Sequence, residues 1–150
     1  MHPVQNETQM KQLGEKLGAL LKGGEIIELV GDVGAGKTTL TKGIAKGLLI
    51  DEDIQSPSFT ISRVYDARDG LTLAHYDFYR LQDAGVMADE LHETLHTPTA
   101  VTIIEWADIV AGVLPQERLS IHIFPVSEEG RRVEIKASGA RAKAVLEEMK

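Results

Sequence analysis

The sequence predicts an α/β fold whose sheet is partly parallel and partly antiparallel. Three observations carry that expectation. Helical and strand-like periods alternate through the first half, two pairs of strand-like runs flank turn residues, and one β-rich run passes through a glycine-rich loop into a helix. The first helix is marked by Met10, Leu13, Leu17, Leu20 and Leu21 at helical spacing, with Thr8 as candidate N-cap and Gly23-Gly24 as stop. Residues 26–30 are β-rich between two glycines and are read as a buried strand, with 37–49 as the helix after the loop. Residues 61–65 and 71–76 are strand-like around Asp66-Ala67-Arg68-Asp69-Gly70, a hairpin in which Gly supplies positive φ near the turn. Residues 81–95 read as mostly helical, broken near Gly85 and ended before Pro98, and 101–104 as another buried strand. A second hairpin joins 119–126 and 131–137 around Ser127-Glu128-Glu129-Gly130. In the terminal helix, 140–149, Val145, Leu146 and Met149 form one stripe, read as core packing.

The 150 residues suit a single domain, 1–150, without repeats or a Pro- or Ser-rich linker. A chain of this size buries roughly 68–70% of its unfolded surface and folds without disulfides or a structural metal. It has no cysteine, which excludes a disulfide framework, a thiolate zinc site, an iron–sulfur cluster and a cysteine nucleophile. A net charge of −7 argues against general nucleic-acid binding, which needs a cationic surface, and against binding anionic membranes. The first residues carry neither a basic region nor an apolar core, and the apolar runs fall far short of the ~18–20 residues of a membrane helix. The expected compartment is the cytoplasm.

The sharpest signal is Gly31-Asp32-Val33-Gly34-Ala35-Gly36-Lys37-Thr38, which matches G-x-x-x-x-G-K-[ST] between a strand and a helix. Glycines let the main chain curl so that successive N–H groups address one phosphate, and the helix adds its positive end to the same anion. Lys37 is placed to reach β- and γ-phosphates and Thr38 to ligate Mg²⁺. The expected class is therefore P-loop NTPase-like, a three-layer fold with a mixed sheet.

Such a loop needs acids for the metal and the attacking water, and two strand ends offer them. Glu105 closes the run Val101-Thr102-Ile103-Ile104, and Asp77 follows 71–76. Ser56-Pro57-Ser58-Phe59-Thr60 is either a switch-like segment facing the γ-phosphate or an ordinary turn. Arg80 either offsets charge on the transferred phosphoryl group or pairs with a surface acid. His75 is read as structural before catalytic. Trp106 lines the pocket or a partner surface, or is a core aromatic. His92-Glu93-Thr94-Leu95-His96 matches the zinc motif H-E-x-x-H, but Thr97-Pro98 ends its helix and no third ligand helix follows, so it reads as a polar helix end.

Four segments together, 31–39, 56–60, 75–81 and 104–108, resemble the TsaE family in order and spacing, as do Leu114-Pro115 and the strand after them. The likeness spans the chain from the first helix to about residue 124. It departs at Ser58, where the family usually has Thr, and in 82–87, which only partly fit the family's acidic, Gly-containing segment. The resemblance implies a small P-loop ATPase in the making of threonylcarbamoyladenosine in tRNA, acting with the TsaB and TsaD proteins. It implies phosphate binding by Gly34, Ala35, Gly36, Lys37, Thr38 and Thr39, Mg²⁺ held by Thr38 and Glu105, and hydrolysis served by Asp77. Lys37, Asp77 and Glu105 are then the catalytic set, with ATP and Mg²⁺ bound and no tight direct contact to tRNA. The alternative is a small-molecule kinase using the same loop, although an Arg-rich lid is not evident. A third is a nucleotide-binding module without turnover. No guanine-reading N-K-x-D occurs, which favours ATP.

Overall fold

A strand one residue into the chain was not among the expected elements. β1 (His2–Val4) is too short to carry a period, and it exists because it pairs antiparallel with β7 (Arg131–Ala137). The computed structural model describes residues 2–32, 36–52, 54, 62–78, 85–107 and 114–149, with 85–88 described by backbone alone.

The remaining elements follow the sequence closely. They are α1 (Glu7–Leu20), β2 (Ile26–Val30), α2 (Lys37–Gly47), β3 (Ser62–Asp66), β4 (Thr72–Asp77), α3 (Gly85–Leu95), β5 (Ala100–Glu105), β6 (Leu119–Pro125) and α4 (Ala140–Met149). The cap of α1 differs from expectation. Asn6, in extended backbone, accepts from the Gln9 N–H at 2.9 Å, whereas Thr8 already lies inside the first turn. α2 also stops two residues early. Leu49 takes a left-handed φ of 58°, and the N–H groups of Leu49 and Ile50 close back on Lys46 and Ala45. That turn keeps Leu48 and Ile50 buried and leaves Leu49 in solvent.

Among the described residues, seven strands make one sheet in the order β1-β7-β6-β2-β5-β4-β3. β6, β2, β5 and β4 run parallel, β3 joins one edge antiparallel, and β7 and β1 join the other edge antiparallel. The alternation of each strand sorts its side chains between two cores. Ile27, Leu29, Leu73, Val101, Ile103 and Ile121 pack with α1, α2 and α4, through residues such as Leu17, Ile44 and Val145. Ile26, Ala74, Tyr76 and Ile104 pack on the other face with Leu91 of α3. Helices therefore cover both faces, giving the expected three-layer α/β arrangement. No helix among the described residues is long and apolar enough to cross a membrane.

Two features fix the helix pair that carries the glycine loop. α1 and α2 meet backbone to backbone through Gly14 and Gly18 on one helix and Gly43 and Gly47 on the other. A Cβ at these positions would collide with the carbonyl oxygens of Leu40, Ile44, Lys11 and Glu15 respectively. At the far end, Arg68 in the β3–β4 turn aims its Nη2 at the carbonyl oxygens of Gly18, Ala19 and Leu21, at 3.1, 3.1 and 2.9 Å. A cation there satisfies the orphan carbonyls of α1 and complements its dipole.

Candidate functional site

Strand β2 ends at Val30, and the chain turns through Gly31 and Asp32 before α2 starts. Val33, Gly34 and Ala35 lie outside the described residues, so the expected roles of Gly34 and Ala35 have no geometry here. Gly36 is the N-cap of α2, with φ 113°, a conformation that L side chains rarely adopt. No side chain caps this helix start among the described residues, which leaves the first-turn N–H groups available to an anion. Thr38 and Thr39 lie half-buried in that turn.

Lys37, the first residue of α2, is only 6% exposed. Its Nζ donates to the Gly31 carbonyl at 2.7 Å, lies 3.9 Å from Glu105 Oε1, and sits 4.0 Å from the centre of the Trp106 ring. Burial holds the Lys37 ammonium below the ordinary lysine pKa, and the nearby charges of Glu105, Asp77 and Asp32 oppose that shift without cancelling it.

The two acids come from adjacent parallel strands. Asp77 ends β4 directly opposite Glu105, which ends β5. Every residue of β5 is buried, so the strand delivers Glu105 into the protein at 3% exposure, whereas Asp77 is half-buried. The strand cannot continue past Glu105 in the same line, because Trp106 takes a φ of 57° and brings its indole over Lys37. Trp106 therefore belongs to the site.

The structure thus brings together Lys37, Glu105 and Asp77 at the carboxyl ends of parallel strands, where open α/β sheets bind ligands. Ser56, Ser58, Thr60 and Arg80 lie outside the described residues. The rings of His92 and His96 lie 4.3 Å apart, tilted by 48°, at the exposed end of α3, and among the described residues no group of three or more His, Cys, Asp or Glu could hold a metal. His75, expected to be structural before catalytic, is buried with its Nε2 2.6 Å from Glu105 Oε2, which ties it to the site. The signal was present in the period of two, which puts His75 on the same face of β4 as Asp77. Asp32, a variable position of the loop motif that the sequence pattern does not single out, also places its charge close enough to act on Lys37.

The donors suit a magnesium–phosphate ligand: the Thr38 hydroxyl and the carboxylates of Glu105 and Asp77 are hard oxygen ligands, and a glycine-capped helix start lies beside them.

The family profile described as "Threonylcarbamoyl adenosine biosynthesis protein TsaE" matches residues 4–133. The tRNA threonylcarbamoyladenosine biosynthesis protein TsaE of Bacillus subtilis is 39% identical over 145 residues, covering 96% of this chain and 89% of its own. That of Streptomyces coelicolor is 34% identical over 137 residues, covering 88% and 93%. The crystal structure of Bacillus subtilis YdiB superposes with a TM-score of 0.80 at 36% identity, over 99% of this chain and 91% of that one. The architecture is accordingly P-loop NTPase-like. A profile match along most of the chain, and relatives similar over nearly their whole length, establish that this protein belongs to the TsaE family of threonylcarbamoyl adenosine biosynthesis proteins.

Proposed function

We propose that this chain is a Mg²⁺-dependent ATPase whose hydrolysis of ATP acts on a TsaB–TsaD complex during formation of threonylcarbamoyladenosine in tRNA. The observation that carries the reading is the contact of buried Lys37, at the head of α2, with Glu105 at one strand end, with Asp77 in register beside it. The names of the relatives support the place in tRNA modification.

In this reading the main chain of Gly34, Ala35, Gly36, Lys37, Thr38 and Thr39 wraps the phosphates. Lys37 leaves Gly31 O and takes the β- and γ-phosphate oxygens. Thr38 and Glu105 hold the metal, and Asp77 orients the attacking water. Bound Mg²⁺ offsets the charge on the phosphate oxygens. Water adds to the γ-phosphorus, the bond to the β–γ bridging oxygen breaks, and the products are ADP, inorganic phosphate and a proton.

The test is phosphate release with and without the TsaB–TsaD pair, and with no other acceptor. The expected result is release that the pair stimulates and that Lys37→Ala and Glu105→Ala lose. Transfer only to an added metabolite would make the chain a kinase, and binding without turnover would make it a nucleotide module.

Contact with tRNA falls to the partners in this scheme, because a net charge of −7 opposes phosphate binding by the chain's general surface. Filter binding with the chain alone is expected to retain no tRNA. Tight, salt-sensitive retention would remove this part of the proposal.

A pH dependence follows from Lys37. Folding lowers its pKa, so on the alkaline side the folded chain holds fewer protons than the unfolded one, and this group's cost to stability eases as pH rises through the folded value. Phosphate favours the ammonium form and pulls the pKa back up. Binding of ATP is therefore expected to take up a proton in that window, and affinity to fall as pH rises, starting below the ordinary lysine range. Calorimetry in two buffers of different ionisation enthalpy reads the proton directly. An affinity that stays flat up to the ordinary lysine range would contradict the assignment.

A further inference from the structure

β4 and β5 deliver three polar side chains to one face of the sheet. His75 and Asp77 leave β4 on the same side, and Glu105 leaves β5 opposite Asp77. The His75 ring is fully buried, and its Nε2 is 2.6 Å from Glu105 Oε2. The other carboxylate oxygen, Oε1, faces Lys37 at 3.9 Å. The two oxygens of Glu105 thus have different neighbours: Oε2 is tied to the sheet through His75, and Oε1 is turned toward Lys37 at the head of α2.

Packing alone does not account for His75. Among the described residues its Nδ1 has no hydrogen-bond partner, and leaving a buried ring nitrogen unsatisfied is unfavourable. An apolar side chain of similar size would avoid that cost. What the imidazole supplies, and an apolar residue would not, is the bond to Oε2. The terminal torsion of a glutamate is broad and roughly two-fold, so a free carboxylate spins easily. One short bond to a ring locked inside a strand stops that rotation.

We propose that His75 is a positioning residue for Glu105, fixing its carboxylate so that Oε1 is presented to the metal side of the phosphate cradle. The inference rests on the ATPase reading, since it gives Oε1 the ligand that reading requires. His75 touches neither phosphate nor metal in this scheme.

The test separates the two ideas by measuring metal binding apart from turnover. Mn²⁺ binding is followed by electron paramagnetic resonance on the full chain saturated with adenylyl-imidodiphosphate. Nucleotide affinity without metal is measured in chelator, and melting temperature is recorded for each variant. H75A and H75N are expected to weaken Mn²⁺ binding by about 10–100-fold, the usual effect of losing a residue that supports a metal ligand, with metal-free nucleotide affinity changed by less than about threefold. H75Q places an amide nitrogen near the position of Nε2 and is expected to recover most of the loss, whereas the amide of H75N stops short of Glu105. If H75A does not fold, the contrast between H75N and H75Q decides the question, because those variants differ in how far the amide reaches. Wild-type Mn²⁺ affinity in H75A or H75N, or an H75Q as weak as H75N, overturns the role of His75 alone. A wild-type chain that binds neither nucleotide nor Mn²⁺–nucleotide overturns the ATPase reading itself.

Discussion

Lys37→Ala is expected to lower phosphate release by about 10²–10³-fold, the scale seen when one preorganised donor to developing charge is removed. The side chain has no substitute at the head of α2. Among the described residues no other Lys or Arg pairs with Glu105, and the ammonium meets Gly31 O, Glu105 and the Trp106 ring together. Binding should weaken more for a triphosphate than for a diphosphate, because the ammonium reaches both the β and the γ group. Alanine is the best helix former and continues α2 from its first position, so the fold should persist and the melting curve serves as the control. A variant that folds and still releases phosphate at the wild-type rate would remove Lys37 from the chemistry.

Gly43→Ala should lower stability by about 2 kcal/mol, as overpacking a close contact does. In an exposed helix the same change gains up to about 1 kcal/mol, so even the sign is informative. The added carbon meets the carbonyl oxygen of Lys11, which is main chain and cannot turn aside. At about 2–4 °C per kcal/mol for a chain of this size, the melting temperature should fall by roughly 4–8 °C. Gly18→Ala, against the carbonyl of Ile44, should act in the same direction. An unchanged or raised melting temperature would mean the two helices are not in main-chain contact.

What the sequence made legible follows what is encoded locally. Ile26–Val30 and Ala140–Met149 were read with the boundaries they have, because glycines frame the first and helical spacing marks the second. The glycine loop and the acids Asp77 and Glu105 announced themselves by residue type and by their place at strand ends. The misses were contacts between distant parts of the chain. Three residues at His2–Val4 have no period of their own and become a strand only against Arg131, Arg132 and Val133. Asn6 displaced Thr8 as the cap by one turn geometry among several that the local sequence permits. His75 looked solitary because its partner lies 30 residues away, on a strand whose register the sequence does not state. Gly14, Gly18, Gly43 and Gly47 carry no side chain that a helical period could register, and only the crossing of the two helices gives them a purpose.

That crossing has a mechanical consequence. Most packed helices touch through a layer of side chains, and such a layer absorbs small displacements by switching rotamers. Between Gly14, Gly18, Gly43 and Gly47 there is no such cushion, since main chain rests on main chain. A load on the first turn of α2 is therefore borne by α1 as well, and the two helices answer it as one stiff beam.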